Sequence, residues 1–477
     1  MTTIQVTLDR TQRIPLQEQL IRALKRHISD GLGTKDLRLP SSRALALDLG
    51  VSRIVTLTAY DQLIAEGYLV SRPGSGTYIN QDIIRTVPTQ PSSATTYRGP
   101  DWFKSSETLV SSSQDNAYHI NFAIGRPSAE QFDAPAWKRA WRQALSHPFV
   151  NQPPPAEGIP ELRAAIADLV ARNRGIRCAP DDIVITSGAV DIITLMARIT
   201  APFKPLCCLE NPGFPAAHDI FSRYGHDILP IGIDQEGLML SDLPGTPGRP
   251  KLLFCTPSHQ FPLGFRLSLP RRLALMDWAR RHDAIILEDD YDSEFRYDVA
   301  PLPSLKAQDD SGHVIYFSSL SKSLSPAIRL GYMIAPEAIR QAATREIDRN
   351  HMQPPWLLQQ AMAHFIQSGE LDKHIRRMRR HYTSLNKAMR DGLKDMPQDV
   401  QIHGLEAGLH CFLALPPEVN RQKLSEKISQ KLLYIDGLDR CYFAPSPWQG
   451  YAFGYGHLTR EKITEGLGLF TSLFKET

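Results

Sequence analysis

The stretch SSLSKSLSPAIRLGYMIAP, residues 318–336, places one lysine, Lys322, among serines directly after an apolar run, and Arg329 follows seven residues later. Lysines usually project from solvated surfaces, so this setting is unusual. A lysine next to hydroxyl groups and an arginine is a candidate for covalent chemistry on a phosphorylated ligand.

Around this stretch, apolar runs rich in β-branched residues alternate with helical patterns. The runs lie at residues 182–186, 251–257, 284–290 and 313–319. Continuous apolar runs of this kind predict a mostly parallel sheet covered by helices on both faces, which is an α/β fold. Ligands of such sheets bind at the carboxyl ends of the strands, so the residues after each run are expected at one rim.

The residues at these strand ends suit one cofactor, pyridoxal 5'-phosphate. Lys322 would form a Schiff base with its aldehyde, with the lysine pKa lowered by Arg329 and by partial burial. Asp289 would pair with the protonated pyridine nitrogen, and Tyr291 would bond the ring hydroxyl. The predicted phosphate cradle and its neighbours are Ser187, Gly188, Ala189, Ser319, Ser321 and Arg329.

The first 80 residues predict a separate DNA-binding module. They hold ten Lys and Arg against seven Asp and Glu, which equals the whole net charge of +3. Three helical patterns are followed by two β-prone runs around Pro73, so we predict a winged helix-turn-helix. Ser41 or Ser42 would cap the second helix and Ser52 the third. The predicted DNA-contacting residues are Arg43, Ser52, Arg53, Thr56, Arg72, Gly74 and Gly76.

Two resemblances to known families agree with these interpretations. The segment LPSSRALALDLGVSRIVTLTAYDQLIAEGYLVSRPGSGTYI resembles the winged helix of GntR-type regulators. The motifs ITSGAVD, TPSHQFPLG, EDDYDSEFRY and SKSLSPAIRLGY resemble fold-type-I aminotransferases, and most closely the MocR/GabR subfamily, which joins both parts in this order. The resemblance implies that Phe214 stacks on the cofactor and that the protein is a head-to-tail homodimer.

The expected organisation is a winged helix over residues 1–80, a linker over 81–118 and an aminotransferase-like domain over 119–477. The last of these would end in a small α+β subdomain from about residue 370. No apolar run approaches the ~20 residues of a membrane helix, and the six cysteines show no zinc-binding spacing. We therefore expect a cytoplasmic protein without a membrane segment or a metal.

This chain departs from the family pattern at three places. Phe261 precedes Pro262 where an asparagine often bonds the ring hydroxyl, so His259 or Gln260 would replace it. Pro153 stands in place of a tyrosine that reaches the partner's phosphate. Ala452 stands in place of an arginine that binds a substrate carboxylate, and Arg440 is the nearest candidate to replace it.

These observations predict a transcriptional regulator that binds operator DNA and senses an effector through pyridoxal phosphate on Lys322. The effector would be an amine or amino acid, or pyridoxal phosphate itself. His410 would either line the pocket or be a core histidine. Two alternatives stay open, namely an active aminotransferase with a DNA-binding arm and a regulator whose large domain only dimerises.

Overall fold

The computed structural model describes residues 6–29, 38–80, 118–148, 150–246, 248–298 and 302–477. The chain divides into two compact units, Met1–Val110 and Ser111–Thr477. The predicted linker, residues 81–118, lies outside the described residues except at its last position.

The smaller unit contains three helices and a two-stranded hairpin. The helices are α1 (Leu16–Ser29), α2 (Ser42–Asp48) and α3 (Arg53–Ala65), and the strands are β1 (Leu69–Arg72) and β2 (Gly76–Ile79). Apolar residues at helical spacing build its core, because Leu20, Leu24 and Ile28 of α1 pack against Leu63 of α3. The predicted winged helix-turn-helix is confirmed.

Local capping explains where the second helix begins. The Ser41 side chain accepts a hydrogen bond from the backbone amide of Ala44 at 3.2 Å, so Ser41 rather than Ser42 caps α2. Ser52 occupies the corresponding position before α3, where its side chain makes no capping hydrogen bond. In the hairpin, Leu69 pairs with Ile79 and Arg72 with Gly76.

The larger unit is built on an eight-stranded sheet. Its strands in chain order are β4 (Ile183–Thr186), β5 (Leu206–Asn211), β6 (Asp227–Asp234), β7 (Gly237–Leu238), β8 (Lys251–Cys255), β9 (Ala284–Asp289), β10 (Val314–Ser319) and β11 (Gly331–Ile334). Their spatial order is β4-β11-β10-β9-β8-β5-β6-β7. The five strands from β10 to β6 are parallel, whereas β11 is antiparallel to both neighbours and β7 to β6.

Helices cover both faces of this sheet, because most residues of its central strands are buried and neither side of these strands faces water. Those before residue 368 are α4 (Ala134–Leu145), α5 (Pro160–Arg174), α6 (Ala189–Thr200), α7 (Pro215–Arg223), α8 (Leu269–His282), α9 (Leu305–Gln308), α10 (Leu320–Ser323), α11 (Glu337–Asn350) and α12 (Trp356–Gln367). The described helices include none that is both long and apolar enough to cross a membrane.

A smaller α+β subdomain follows. Its helices and strands are α13 (Glu370–Gly392), β12 (Gln401–His403), β13 (His410–Ala414), α14 (Arg421–Gln430), β14 (Leu433–Ile435), β15 (Gly450–Gly454) and α15 (Arg460–Lys475). The strand β3 (Ile120–Phe122) pairs in parallel with β14, and Phe122 is fully buried in the core of the subdomain. The first described strand of the larger unit therefore belongs to the C-terminal subdomain in space.

Candidate functional site

The strand register brings three strand ends to one rim. Thr186 at the end of β4 and Ser319 at the end of β10 both pair with Gly331, and Asp289 at the end of β9 pairs with Phe317. A cavity of about 230 Å³ opens there. Its lining includes these predicted residues: Gly188, Ala189, Phe214, Asp289, Tyr291, Ser319, Ser321, Lys322 and Arg329.

Lys322 reaches into this cavity from the short helix α10. Its Nζ donates a hydrogen bond to the carbonyl oxygen of Gly125. A Cβ at position 125 would lie 2.7 Å from Nζ, so a larger residue would displace the lysine. Burial lowers the pKa of Lys322, and the carboxylates of Asp292 and Asp289 partly oppose this. The sequence predicted the lowered pKa but assigned it partly to Arg329, whereas burial is the cause.

Asp289 is a buried carboxylate with an unused oxygen. The side chain is 5% exposed, and its Oδ1 has no hydrogen-bond partner among the described residues. Burial raises the pKa of Asp289 well above its usual range, and the neighbouring Asp290 and Asp292 raise it further. A cationic or N–H donor in the cavity would satisfy this oxygen.

Tyr291 faces the cavity and is held from behind by His259. Its Oη donates to the carbonyl oxygen of His259 at 2.8 Å and lies 3.1 Å from the ring Nδ1. The same Nδ1 lies 2.9 Å from Oδ2 of Asp292, and both side chains are almost fully buried. His259 is therefore a second layer behind Tyr291 and is not part of the cavity lining.

Gln260, the other predicted replacement for the missing asparagine, is used within the fold. Its side-chain amide donates to the carbonyl oxygens of Pro212 at 2.9 Å and Phe261 at 2.7 Å. Phe261 instead lines the cavity, and its ring meets that of Phe214 edge to face at 5.5 Å. Both positions therefore contribute aromatic rings to the cavity wall.

Part of the predicted phosphate cradle is grouped around Gly188. Its φ of 121° is strained for any residue with a side chain, and it precedes α6 as the N-cap. A Cβ at this position would lie 3.8 Å from Oγ of Ser319 and 3.9 Å from Nη1 of Arg329, so both groups converge on the N-terminus of α6. Ser187 does not line the cavity, and its amide donates to Asp191 at 3.0 Å.

Several residues of the cavity wall were not predicted. They are Gly125, Val190, Thr256, Phe261, Asp292, Pro326 and Leu409. His410, which the sequence left undecided, also lines the cavity, and its ring lies 4.7 Å from that of His259. Asp292 had a signal in the sequence, because it follows Tyr291 within the same strand-end motif.

Of the three departures from the family pattern, Phe261 lines the cavity, whereas Pro153 and Ala452 do not. Ala452 is fully buried in β15, opposite Phe412. Arg440 is exposed in the short 3₁₀ helix Asp439–Cys441 and does not line the cavity. Pro153 is exposed. Among the described lining residues, the cationic ones are Lys322 and Arg329.

The predicted DNA-contacting residues divide into exposed and buried positions. Arg43, Ser52 and Arg53 are exposed, and the guanidinium of Arg72 lies over the ring of Tyr78 at 4.5 Å. Gly74 lies in the turn of the wing and Gly76 begins β2, with φ of 70° and 121°.

The prediction that Thr56 contacts DNA is wrong. It is fully buried, and its hydroxyl donates to the carbonyl oxygens of Ser42 at 2.7 Å and Arg53 at 3.0 Å. Its role is to join α2 to α3, because the helix turns this position inward. Arg38, which was not predicted, lies beside the wing, where a Cβ on Gly76 would approach its Nε to 2.8 Å.

Comparisons with known proteins assign a family to each of the two units. Residues 118–442 match the family described as aminotransferase class I and II, and residues 16–79 match bacterial regulatory proteins of the gntR family. The probable rhizopine catabolism regulatory protein MocR of Rhizobium meliloti is 32% identical over 98% of this chain and 96% of its own length. The chain belongs to the MocR family of transcriptional regulators.

A second regulator and a solved aminotransferase structure are also similar to this MocR-family regulator. The pyridoxine biosynthesis regulator PdxR of Corynebacterium glutamicum is 32% identical over 96% of this chain and 95% of its own. An archaeal alanine:glyoxylate aminotransferase has a TM-score of 0.69 at 24% identity, covering 75% of this chain and 91% of that one. This last likeness shows the fold of the larger unit, and the chain combines it with a DNA-binding module.

Proposed function

We propose that this regulator binds pyridoxal 5'-phosphate at Lys322 and uses the occupied cavity to control its affinity for operator DNA. The observation that carries the proposal is a lysine amine and an unpaired buried carboxylate oxygen, on Asp289, facing one cavity. The aldehyde of the cofactor reacts with primary amines, which is the chemistry that it supplies when bound.

The residues present fit this cofactor. Asp289 would accept a hydrogen bond from the protonated ring nitrogen. The Tyr291 hydroxyl, which here donates to the carbonyl oxygen of His259, would turn to donate to the ring oxygen, and Asp292 would hold the His259 ring beside it. Gly188, Ser319 and Arg329 would hold the phosphate at the N-terminus of α6. Burial favours the neutral, nucleophilic amine of Lys322, because it penalises the ammonium form.

The number of arginines in the cavity wall favours one class of effector over another. Since no arginine besides Arg329 lines the described wall, a substrate carboxylate finds no second guanidinium there. A charge-assisted hydrogen bond of this kind contributes roughly 1.5–3 kcal/mol. This favours as effector an amine without a carboxylate, or pyridoxal phosphate itself, over an α-amino acid. It also argues against efficient amino-acid transamination.

We further propose that the regulator acts in the cytoplasm, where operator DNA is present, as a homodimer. An effector changes DNA affinity only if it binds two states of the dimer unequally, and DNA then changes effector affinity by the same factor. Operator affinity measured with and without the effector therefore quantifies the coupling.

The test combines absorbance with chemical trapping. We expect the purified protein to gain a cofactor absorbance band with pyridoxal phosphate, and borohydride reduction to label the peptide that contains Lys322. Lys322→Ala should lose the band and the label, should still bind the operator as the cofactor-free native protein does, and should no longer respond to pyridoxal phosphate. The control is Lys373→Ala, because this lysine is 57% exposed on α13 and should change neither.

Three results would contradict the proposal. Labelling of another lysine, or an unchanged absorbance band in Lys322→Ala, would remove Lys322 from its role. Rapid turnover of an amino donor with a keto-acid acceptor would instead support an active aminotransferase.

A further inference from the structure

The second helix of the helix-turn-helix motif, α3, carries exposed apolar side chains. Ile54 and Leu57 of α3 are 75% and 43% exposed, and among the large apolar residues of the described chain only Leu47, on α2, is more exposed than Ile54, at 84%. Their neighbours Ala59, Tyr60 and Leu63 are buried in the core of the module. The packing of the module therefore does not require Ile54 or Leu57.

The position of Ile54 in the helix is specific. It is the second residue of α3, directly after the exposed Arg53, and Leu57 lies one turn later on the same side. The opposite side of α3 is fixed inward, because Thr56 bonds to α2 and the Tyr60 hydroxyl donates to the carbonyl oxygen of Pro40 at 2.9 Å. Arg53, Ile54 and Leu57 consequently share the outward side of the helix.

In helix-turn-helix proteins the N-terminal residues of the second helix of the motif contact base edges in the major groove. The apolar feature of that groove is the C5-methyl group of thymine, whereas the other base edges present hydrogen-bond donors and acceptors. An isoleucine at this position gains the most buried apolar area against such a methyl group, which projects into the groove. The neighbouring Arg53 and the positive charge of the first 80 residues favour DNA as the occupant of this surface.

We propose that Ile54, supported by Leu57, reads a thymine methyl group in each operator half-site. This specificity goes beyond the DNA binding of the family and does not depend on pyridoxal phosphate. It predicts a preference for thymine over cytosine at one or two adjacent positions, because cytosine lacks the methyl group and presents a donor in place of an acceptor.

The test removes the methyl group without changing any hydrogen bond of the base. An operator duplex is first selected from random sequences with the full-length protein, and each thymine is then replaced singly by deoxyuridine. At fixed salt concentration, we expect one or two replacements to weaken binding roughly 4-fold, which corresponds to ~0.8 kcal/mol for one buried methyl-sized group. Other replacements should have little effect.

A double-mutant cycle links this effect to the residue. Ile54→Ala should bind the thymine and deoxyuridine duplexes equally, whereas Ile54→Val, which keeps a branched apolar side chain, should retain most of the discrimination. Leu145→Ala is the matched control, because it removes an apolar side chain that is 54% exposed on the other unit and should leave the discrimination intact.

Each contrary outcome overturns the proposal. One is native protein that binds every singly substituted duplex as tightly as the parent. Another is discrimination that survives in Ile54→Ala. If that variant changes the oligomeric state while the discrimination persists, Ile54 belongs to a protein interface.

Discussion

At the scale of single residues, the site contains a carboxylate that lowers the stability of the folded protein until a ligand binds to it. Asp289 is buried with an unpaired oxygen, and its pKa is raised by burial. A carboxyl group with a raised pKa in the folded state favours folding at low pH. That contribution is lost as pH rises from the unfolded pKa, about 3.9, towards the raised folded value. At neutral pH Asp289 therefore destabilises the cofactor-free protein.

Asp289→Asn should consequently raise the stability of the cofactor-free protein at neutral pH, by about 1–3 kcal/mol, because a neutral amide avoids the cost of burying an unpaired charge. Its stability should also fall less between pH 4 and 7 than that of the native protein. Affinity for pyridoxal phosphate should drop at least 10-fold, because a hydrogen bond to a charged ring nitrogen contributes roughly 1.5–3 kcal/mol. Denaturant unfolding and absorbance titration measure the two effects.

The control is Asp310→Asn, because Asp310 is 81% exposed and should change neither quantity. A cofactor-free Asp289→Asn protein that is less stable than the native one at pH 7 would contradict this account of the site.

At the scale of elements, a buried ion pair connects α5 to the rim of the sheet. Nε of Arg174 lies 2.6 Å from Oδ2 of Asp290, and the two side chains are 5% and 2% exposed. Asp290 also accepts hydrogen bonds from Tyr316 at 2.6 Å and Ser293 at 2.9 Å. Because Asp290 stands between Asp289 and Tyr291, this pair fixes the loop that presents both cofactor-facing residues.

Arg174→Met should destabilise the larger unit by about 3–5 kcal/mol, because it leaves a buried carboxylate unpaired. Arg172→Met on the same helix should change stability by about 1 kcal/mol or less, since its pair with Asp372 is partly exposed, at 52% and 28%. Urea unfolding compares the two variants. Equal effects would show that the Arg174 pair does not hold the rim.

At the scale of the whole molecule, two compact units predict two thermal transitions. Pyridoxal phosphate at 100 times its dissociation constant should stabilise the larger unit by about 2.7 kcal/mol, and Lys322→Ala should remove this gain. Operator DNA should raise the midpoint temperature of the winged-helix transition more than that of the larger unit. Calorimetry checks both, and a single transition that moves as one with either ligand would contradict the independence of the units.

The sequence by itself determined the features that depend on local order. Helical periodicity around Leu20 and Leu24 indicated the winged helix. Apolar runs followed by polar motifs placed Asp289 and Lys322 at strand ends, and parallel strands bring such ends to one rim. These predictions succeed because a periodic pattern reports which side of an element is buried, and the rule for sheet edges needs no knowledge of distant contacts.

Only the tertiary structure decided which remote segments meet. Gly125 accepts the hydrogen bond of Lys322 across 197 residues, and His259 meets Tyr291 across 32. The inward direction of Thr56 depends on the neighbouring helix, and its hydroxyl alone gave no sign of it. Such pairings follow from the packing of whole layers against one another. Many sequence positions are equally compatible with a local pattern, but only one set fills the core and satisfies the buried polar groups.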